Sequence, residues 1–200
     1  MVVRLSSSQA PGWVAARLAG CDGTRWVGVD GLGAAGKTTL AAAIAAALPG
    51  AVTVSVDDFA RPGVDTWDHA RFRRDILTPV TRGRSGSYRR WDLVAERAGA
   101  RVEVPAGVPI VVEGVSATDR AVGVPWDVQL WVEASEGVRR ERIHRRDPPE
   151  LLTRWERDWW PQEQSYLRSQ RPDRRADAVV AGGVSRGLAA ELGDRCVEGG

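Results

Sequence analysis

One octapeptide, Gly31-Leu32-Gly33-Ala34-Ala35-Gly36-Lys37-Thr38, decides how the rest of the sequence is interpreted. It fits the pattern Gly-x-x-x-x-Gly-Lys-Ser/Thr, whose glycines let the backbone curl so that successive N–H groups form a nest for an anion. The apolar run Trp26-Val27-Gly28-Val29 precedes it, and an Ala-rich helical run over residues 39–48 follows it. This order of strand, loop and helix is the setting that a phosphate-binding P-loop requires, and it argues against a Gly-rich turn that matches by chance.

The P-loop interpretation predicts a set of nucleotide-binding residues: Gly31, Gly33, Ala34, Ala35, Gly36, Lys37, Thr38 and Thr39. Lys37 is expected to reach the β- and γ-phosphates, and the Thr38 hydroxyl to bind Mg²⁺. Lys37 is also the only lysine in the chain, although lysine and arginine together number 28. A compact ammonium fits inside a phosphate nest, whereas the planar guanidinium of arginine is larger and shaped differently. The single lysine therefore supports the interpretation.

Composition limits the class of protein. A chain of 200 residues with 43% hydrophobic and 27% charged residues suits one α/β domain over residues 1–200. The net charge of +2 gives no reason to expect a nucleic-acid partner. Cys21 and Cys196 lack metal-ligand spacing, which favours a reducing compartment. With no signal-peptide pattern and no run of 18 apolar residues, we expect a cytoplasmic protein with no membrane partner.

Alternating strand and helix patterns follow the P-loop along the chain. Five apolar runs predict a five-stranded, mainly parallel sheet: residues 25–30, 51–56, 109–114, 126–132 and 176–181. Helical patterns cover residues 8–19, 39–48, 68–77, 137–147 and 151–169, and a closing helix is expected after Gly183. This order predicts a three-layer α/β fold of the P-loop NTPase type.

Acidic residues stand at the ends of two predicted strands, where open α/β sheets bind ligands. Asp57 and Asp58 follow the second strand, and Glu113 lies near the end of the third. One of the aspartates is a candidate base, and Glu113 occupies the place where P-loop proteins hold Mg²⁺ through an acid. The alternatives are an N-cap or turn role for either aspartate and an ordinary strand-end carboxylate for Glu113.

A polar, arginine-rich insertion covers about residues 60–95. Within it, Tyr88-Arg89-Arg90-Trp91-Asp92 combines aromatic rings, cations and a carboxylate, a mixture that suits a polar ring-bearing or sugar acceptor. The alternative is a surface hairpin anchored by Trp91.

A second arginine-rich segment, about residues 137–150, predicts a lid over the nucleotide. Its helix places arginines three and four residues apart on one face, and such a face needs anions. Phosphate would supply them, or the neighbouring acids would: Glu136, Glu141 and Glu150.

In this order the motifs resemble those of the uridine kinase and phosphoribulokinase group of P-loop kinases, over about residues 26–183. The motifs are Gly31 to Thr38, Asp57-Asp58-Phe59, Trp67-Asp68-His69 with Phe72, Arg90-Trp91-Asp92, Val112-Glu113-Gly114, Arg139 to Asp147, and Arg175 to Val180. The resemblance implies a kinase that uses ATP and Mg²⁺ to phosphorylate a hydroxyl of a nucleoside-like or sugar-like small molecule.

The same resemblance implies residue roles. The catalytic residues would be Lys37, Asp57 as the base, Arg142 and Arg146. The substrate-binding residues would be Asp68, Tyr88, Arg90, Trp91, Asp92 and Arg145. The metal ligands would be Thr38 and Glu113. Two departures argue against uridine as the acceptor, because Ala60 and Trp91 stand where uridine kinases usually have tyrosine.

Two other functions remain open at this point. A P-loop ATPase or nucleotide switch without an acceptor would need a water-orienting residue after Glu113, and the stretch Gly114-Val115-Ser116-Ala117 offers no glutamine. A nucleic-acid-binding module would instead use its arginines on phosphates, with a strong dependence on salt.

Overall fold

The computed structural model describes residues 2–60, 66–92 and 97–182, apart from the side chains of Asp92 and Glu150. Its strands are β1 (Val3–Leu5), β2 (Arg25–Gly31), β3 (Val52–Ser55), β4 (Gly86–Asp92), β5 (Arg97–Val104), β6 (Pro109–Gly114), β7 (Val128–Glu133) and β8 (Ala178–Ala181). Six of them form a parallel sheet in the order β1-β8-β7-β2-β6-β3, and β4 and β5 form a separate antiparallel hairpin.

The α-helices are α1 (Ala10–Leu18), α2 (Lys37–Ala47), α3 (His69–Phe72), α4 (Thr78–Thr81), α5 (Glu136–Arg146), α6 (Pro149–Arg154), α7 (Trp160–Gln170) and α8 (Pro172–Arg175). Turns of π-helix join α3 to α4 (Arg73–Leu77) and α6 to α7 (Trp155–Trp159). Each π turn lies just before a proline, Pro79 or Pro161. In a regular helix the proline ring would clash with the carbonyl of the residue four positions earlier, and each π turn contains that residue. The closing helix expected after Gly183 lies outside the described residues.

The prediction of a five-stranded sheet was wrong by one strand. All five expected strands are present, but β1 adds a sixth at the edge by pairing with β8. It has only three residues, and two of them are exposed. A short edge strand of this kind has no apolar pattern by which it could be recognised.

The sheet lies between two layers, as alternation along β2 shows. Val27 and Val29 are fully buried against α1 and α2. Trp26 is buried on the opposite face, in a cluster that includes Phe59 and Phe72. Because successive side chains of a strand point to opposite faces, both layers depend on the same short run of residues. The expected three-layer α/β fold is therefore confirmed.

The fold brings three connections to the carboxyl edge of the sheet. The P-loop follows β2, a 3₁₀ turn over Val56–Phe59 follows β3, and Glu113 is the penultimate residue of β6. β2 and β3 both pair with β6, so these three positions are neighbours in space. None of the helices in the described part of the chain is long and apolar enough to span a membrane.

Candidate active site

The P-loop forms an open helix N-terminus. Gly36 has φ 106°, a left-handed conformation that favours glycine, and it immediately precedes α2 without a side-chain cap. The first N–H groups of α2 therefore have no capping side chain, and the helix dipole adds partial positive charge there. Ala34 also has a positive φ, 59°, which is uncommon for a residue with a Cβ. This geometry suits a bound phosphate.

Lys37 is enclosed at the start of α2, with 7% of its surface exposed. Its Nζ donates a hydrogen bond to the carbonyl of Leu32 at 2.9 Å, across the loop. Burial lowers the pKa of the ammonium, while the nearby carboxylates of Asp57 and Glu113 act in the opposite direction. Lys37 thus lies inside the loop near the carboxylates of Asp57 and Glu113, and its contact with phosphate stays a prediction.

Thr38 and Glu113 lie together at the predicted magnesium site. The Thr38 hydroxyl donates to Glu113 Oε2 at 3.1 Å. Burial raises the pKa of Glu113, and hydrogen bonds from Ser55 and Thr38 partly offset this. A hydroxyl and a carboxylate are the oxygen ligands that Mg²⁺ uses when phosphate oxygens and water complete its octahedron. This donor set fits the metal, and Ser55 is a neighbour that sequence reasoning did not find.

The two aspartates after β3 have different surroundings. Both lie in the 3₁₀ turn and not on the strand itself, which ends at Ser55. Asp57 is exposed, and its charge acts on Lys37 and Glu113. Asp58 is partly buried and accepts a hydrogen bond from the Tyr88 hydroxyl at 2.8 Å. Asp57 therefore faces the phosphate end of the site, and Asp58 faces the hairpin.

The predicted acceptor residues differ in their surroundings. Tyr88 is 3% exposed and packs on Phe59, while Arg90 lies 3.5 Å from Asp58 Oδ2 on the same hairpin. Asp68 is buried and its Oδ1 caps α3 by accepting from the Arg71 N–H at 2.9 Å. Trp91 is half-buried in β4, so Tyr88 anchors the expected hairpin. The side chain of Asp92 lies outside the described residues.

Two arginines of α5 contact the P-loop backbone. Arg142 donates to the carbonyls of Ala34 and Ala35 at 3.0 and 3.2 Å. Arg139 is 2% exposed and pairs with Glu163 of α7 at 3.1 Å. The predicted lid helix therefore lies directly on the phosphate-binding loop.

The other arginines of α5 pair with acids. Arg140 contacts Glu136 at 2.8 Å and Glu156 at 3.2 Å. Arg145 pairs with Glu141, and Arg146 forms a bidentate pair with Asp147 at 2.6 and 2.8 Å. The alternative in which neighbouring acids, and not phosphate, pair with the arginines of this helix is thus correct for Arg140 and Arg145. Arg146 lies close enough to Asp57 to interact with its charge.

Sequence reasoning missed the contribution of α7. Asp30, at the end of β2, is 1% exposed and accepts from the Tyr166 hydroxyl at 2.6 Å and from the Gly31 N–H at 2.7 Å. Glu163 accepts from the Gly33 N–H at 3.0 Å. Glu163 and Tyr166 are three residues apart and share one face of the helix. Their spacing was the only signal, and it did not indicate which partner they face.

Of the comparisons with known proteins, the one with solved structures found matches. No protein-family model and no curated protein matches the chain. Among solved structures, one neighbour is described as a possible uridine kinase from Bacillus stearothermophilus, with 17% identity, a TM-score of 0.66, and coverage of 86% of this chain and 98% of the other. The chain has the P-loop kinase fold.

A second neighbour within this fold is described as a kinase of a fructose transport system from Silicibacter sp. TM1040. It has 20% identity and a TM-score of 0.59, and the match covers 88% of this chain and 98% of that one. At such identities the likeness establishes the P-loop kinase fold and leaves the choice of substrate to the site itself.

Proposed function

We propose that the chain is an ATP-dependent kinase that transfers the γ-phosphoryl group to a hydroxyl of a nucleoside-like or sugar-like small molecule. The observation that carries the proposal is the convergence of Lys37, the Thr38–Glu113 pair and Asp57 at one edge of the sheet. Phosphoryl transfer needs these parts beside a phosphate nest: a cation, a pair of oxygen ligands for the metal, and an exposed carboxylate.

Each group has a definite task in this proposal. The P-loop N–H groups and Lys37 hold the phosphates, Arg142 supports the loop through its carbonyls, and Arg146, which lies near the charge of Asp57, reaches the phosphates from α5. Thr38 and Glu113 would hold Mg²⁺, which supplies charge neutralisation when it is bound. The Asp57 carboxylate orients the acceptor hydroxyl and takes its proton.

The acceptor would lie between the 3₁₀ turn and the hairpin. Tyr88, Arg90 and Asp58 form a connected polar wall there, with Tyr88 held rigidly by Phe59. Hydrogen-bonding groups of this kind suit a hydroxyl-rich or ring-bearing acceptor. Asp68, Trp91, Asp92 and Arg145 complete the predicted set. A small-molecule kinase of this type needs neither nucleic acid nor a membrane, and we place it in the cytoplasm.

The test is ADP release from ATP and Mg²⁺, measured with and without a panel of nucleosides and sugars. The Lys37→Ala variant, purified in parallel, controls for contaminating kinases. Release that depends on one class of acceptor supports the proposal. Release that is equal without any acceptor indicates an ATPase or switch, and salt-dependent binding of polyanions without ADP release indicates a nucleic-acid module.

A further inference from the structure

Glu163 connects α7 to the P-loop although the two residues in contact are 130 positions apart. The side chain is 4% exposed, and both carboxylate oxygens have partners. Oε1 accepts from the Gly33 N–H at 3.0 Å, and Oε2 accepts from Arg139 at 3.1 Å. A buried carboxylate is costly unless it is paired and hydrogen-bonded, so this arrangement depends on all three residues together.

Both peptide groups of Gly33 are tied to this pair. Its N–H binds Glu163 directly, and its carbonyl accepts from Arg139 at 3.4 Å. The Arg139 guanidinium also stacks on Trp160, with 4.7 Å from Cζ to the ring centroid. Without Glu163 the arginine would be a buried cation lacking its counter-ion, and the Gly33 N–H would lose its acceptor.

The same pattern continues along the loop. Cationic side chains bind the four consecutive carbonyls of residues 32–35. Lys37 binds that of Leu32 at 2.9 Å, Arg139 that of Gly33, and Arg142 those of Ala34 and Ala35. A peptide unit is planar, so fixing a carbonyl directs the next N–H to the opposite side. The positive φ of Ala34 adds strain that the surrounding contacts must balance. The orientation of the loop N–H groups is therefore set partly from outside the loop.

We propose that Glu163 is a positioning residue of the P-loop: by holding the Gly33 N–H and, through Arg139, the Gly33 carbonyl, it directs the following loop N–H groups toward the triphosphate of ATP. The inference rests on the nucleotide site of the proposed function and adds to it a residue outside the motif. A simple structural role, in which the ion pair only joins α5 to α7, would change stability and leave nucleotide affinity alone.

Two charge-free double variants separate these roles. Arg139→Leu with Glu163→Gln keeps an oxygen that can accept from Gly33, whereas Arg139→Leu with Glu163→Met removes it. Both lack a buried unpaired charge, so they differ mainly in whether the Gly33 N–H keeps its acceptor. We expect ATP to bind at least about tenfold more weakly to the Met form than to the Gln form, in isothermal titration with Mg²⁺.

A control removes another ion pair of α5, the one with the π turn that precedes α7. Glu156→Met removes the surface contact with Arg140, in which the two side chains are 57% and 39% exposed, and neither side chain has a hydrogen bond to the P-loop among the described residues. ATP affinity should be unchanged in this variant. If instead it fell as far as in the Met form, loss of any ion pair between α5 and the segment over residues 155–170 would explain the effect, and the inference would be overturned.

A third variant guards against failure of the Met form to fold. Glu163→Asp keeps the charge opposite Arg139 but shortens the side chain by one methylene, so it cannot maintain both contacts. ATP affinity should fall about fivefold or more in a protein that stays folded at the assay temperature, because the charge opposite Arg139 is kept. Wild-type affinity in this variant, or equal affinity of the two double variants, overturns the inference. Nucleotide binding with no acceptor found anywhere would overturn the proposed kinase reaction and leave the positioning role supported.

Discussion

Replacing each of the adjacent acids, Asp57 and Asp58, by asparagine separates chemistry from structure. Asp57 is exposed at the phosphate end of the site. Among the described residues, none donates a hydrogen bond to its carboxylate, and its backbone N–H is bonded to Ser55. Asp57→Asn should therefore leave the melting temperature unchanged. If the carboxylate takes the proton of the acceptor hydroxyl, kcat should fall about a hundredfold, which corresponds to about 2.7 kcal/mol of barrier. ATP affinity should stay within a few-fold.

Asp58→Asn should behave in the opposite way. The carboxylate accepts the Tyr88 hydroxyl at 2.8 Å and lies 3.5 Å from Arg90. An amide oxygen can still accept from Tyr88, so only the charge-assisted part of the bond is lost, about 1 kcal/mol. For a domain of this size that lowers the melting temperature by about 2–4 °C. The expected change in kcat is a few-fold at most.

Three measurements on both variants decide between these outcomes: thermal unfolding, isothermal titration with ATP, and single-turnover phosphoryl transfer. A large loss of turnover in Asp58→Asn with near-normal Asp57→Asn would show that the base is assigned to the wrong residue. No change of kcat in either variant would mean that this end of the sheet is not catalytic, and the kinase proposal would lose its base.

Three further predictions concern the loop and the helix that contacts it. Lys37→Arg and Lys37→Ala should both fold yet lose phosphoryl transfer by about a thousandfold, because the enclosed site fits a compact ammonium. Wild-type turnover of Lys37→Arg would contradict this. In hydrogen exchange, amides around Arg142 should be protected without ligand, and those of residues 144–147 should slow only when an ATP analogue and Mg²⁺ are added. Equal exchange in both states would leave this end of the helix without a role in closure. A Cβ on Gly33 would lie 2.6 Å from Glu163 Oε1, so Gly33→Ala should weaken ATP binding about tenfold, whereas Gly137→Ala in α5 meets nothing within 4 Å and should not.

Much of the fold could be predicted from the sequence because its signals are local. The octapeptide at residues 31–38 fixes a strand, a loop and a helix within a short stretch, and the buried strands of a parallel sheet are apolar throughout. β1 could not be predicted in the same way, since its three residues owe their conformation to pairing with β8.

Only part of the candidate site could be predicted from the sequence, for the same reason. Lys37, Thr38 and Glu113 were predictable because strand order brings the carboxyl ends of β2 and β6 together. Glu163 was not, because its contact with Gly33 depends on how α7 packs, and a single acid on a helix is usually solvent-exposed. The arginines of α5 were expected to need phosphate, but several have acidic or carbonyl partners in the folded chain, which residue spacing alone could not decide.

The single lysine of the chain also makes the site chemically addressable. Reagents that acylate amines can modify only the N-terminus and the Lys37 side chain in this protein. Burial lowers the pKa of that ammonium and leaves only 7% of the residue exposed, so a small reagent should label it more slowly than the N-terminal amine. Intact-mass spectrometry would then count occupied nucleotide sites directly, since a bound triphosphate shields the one internal amine from the label.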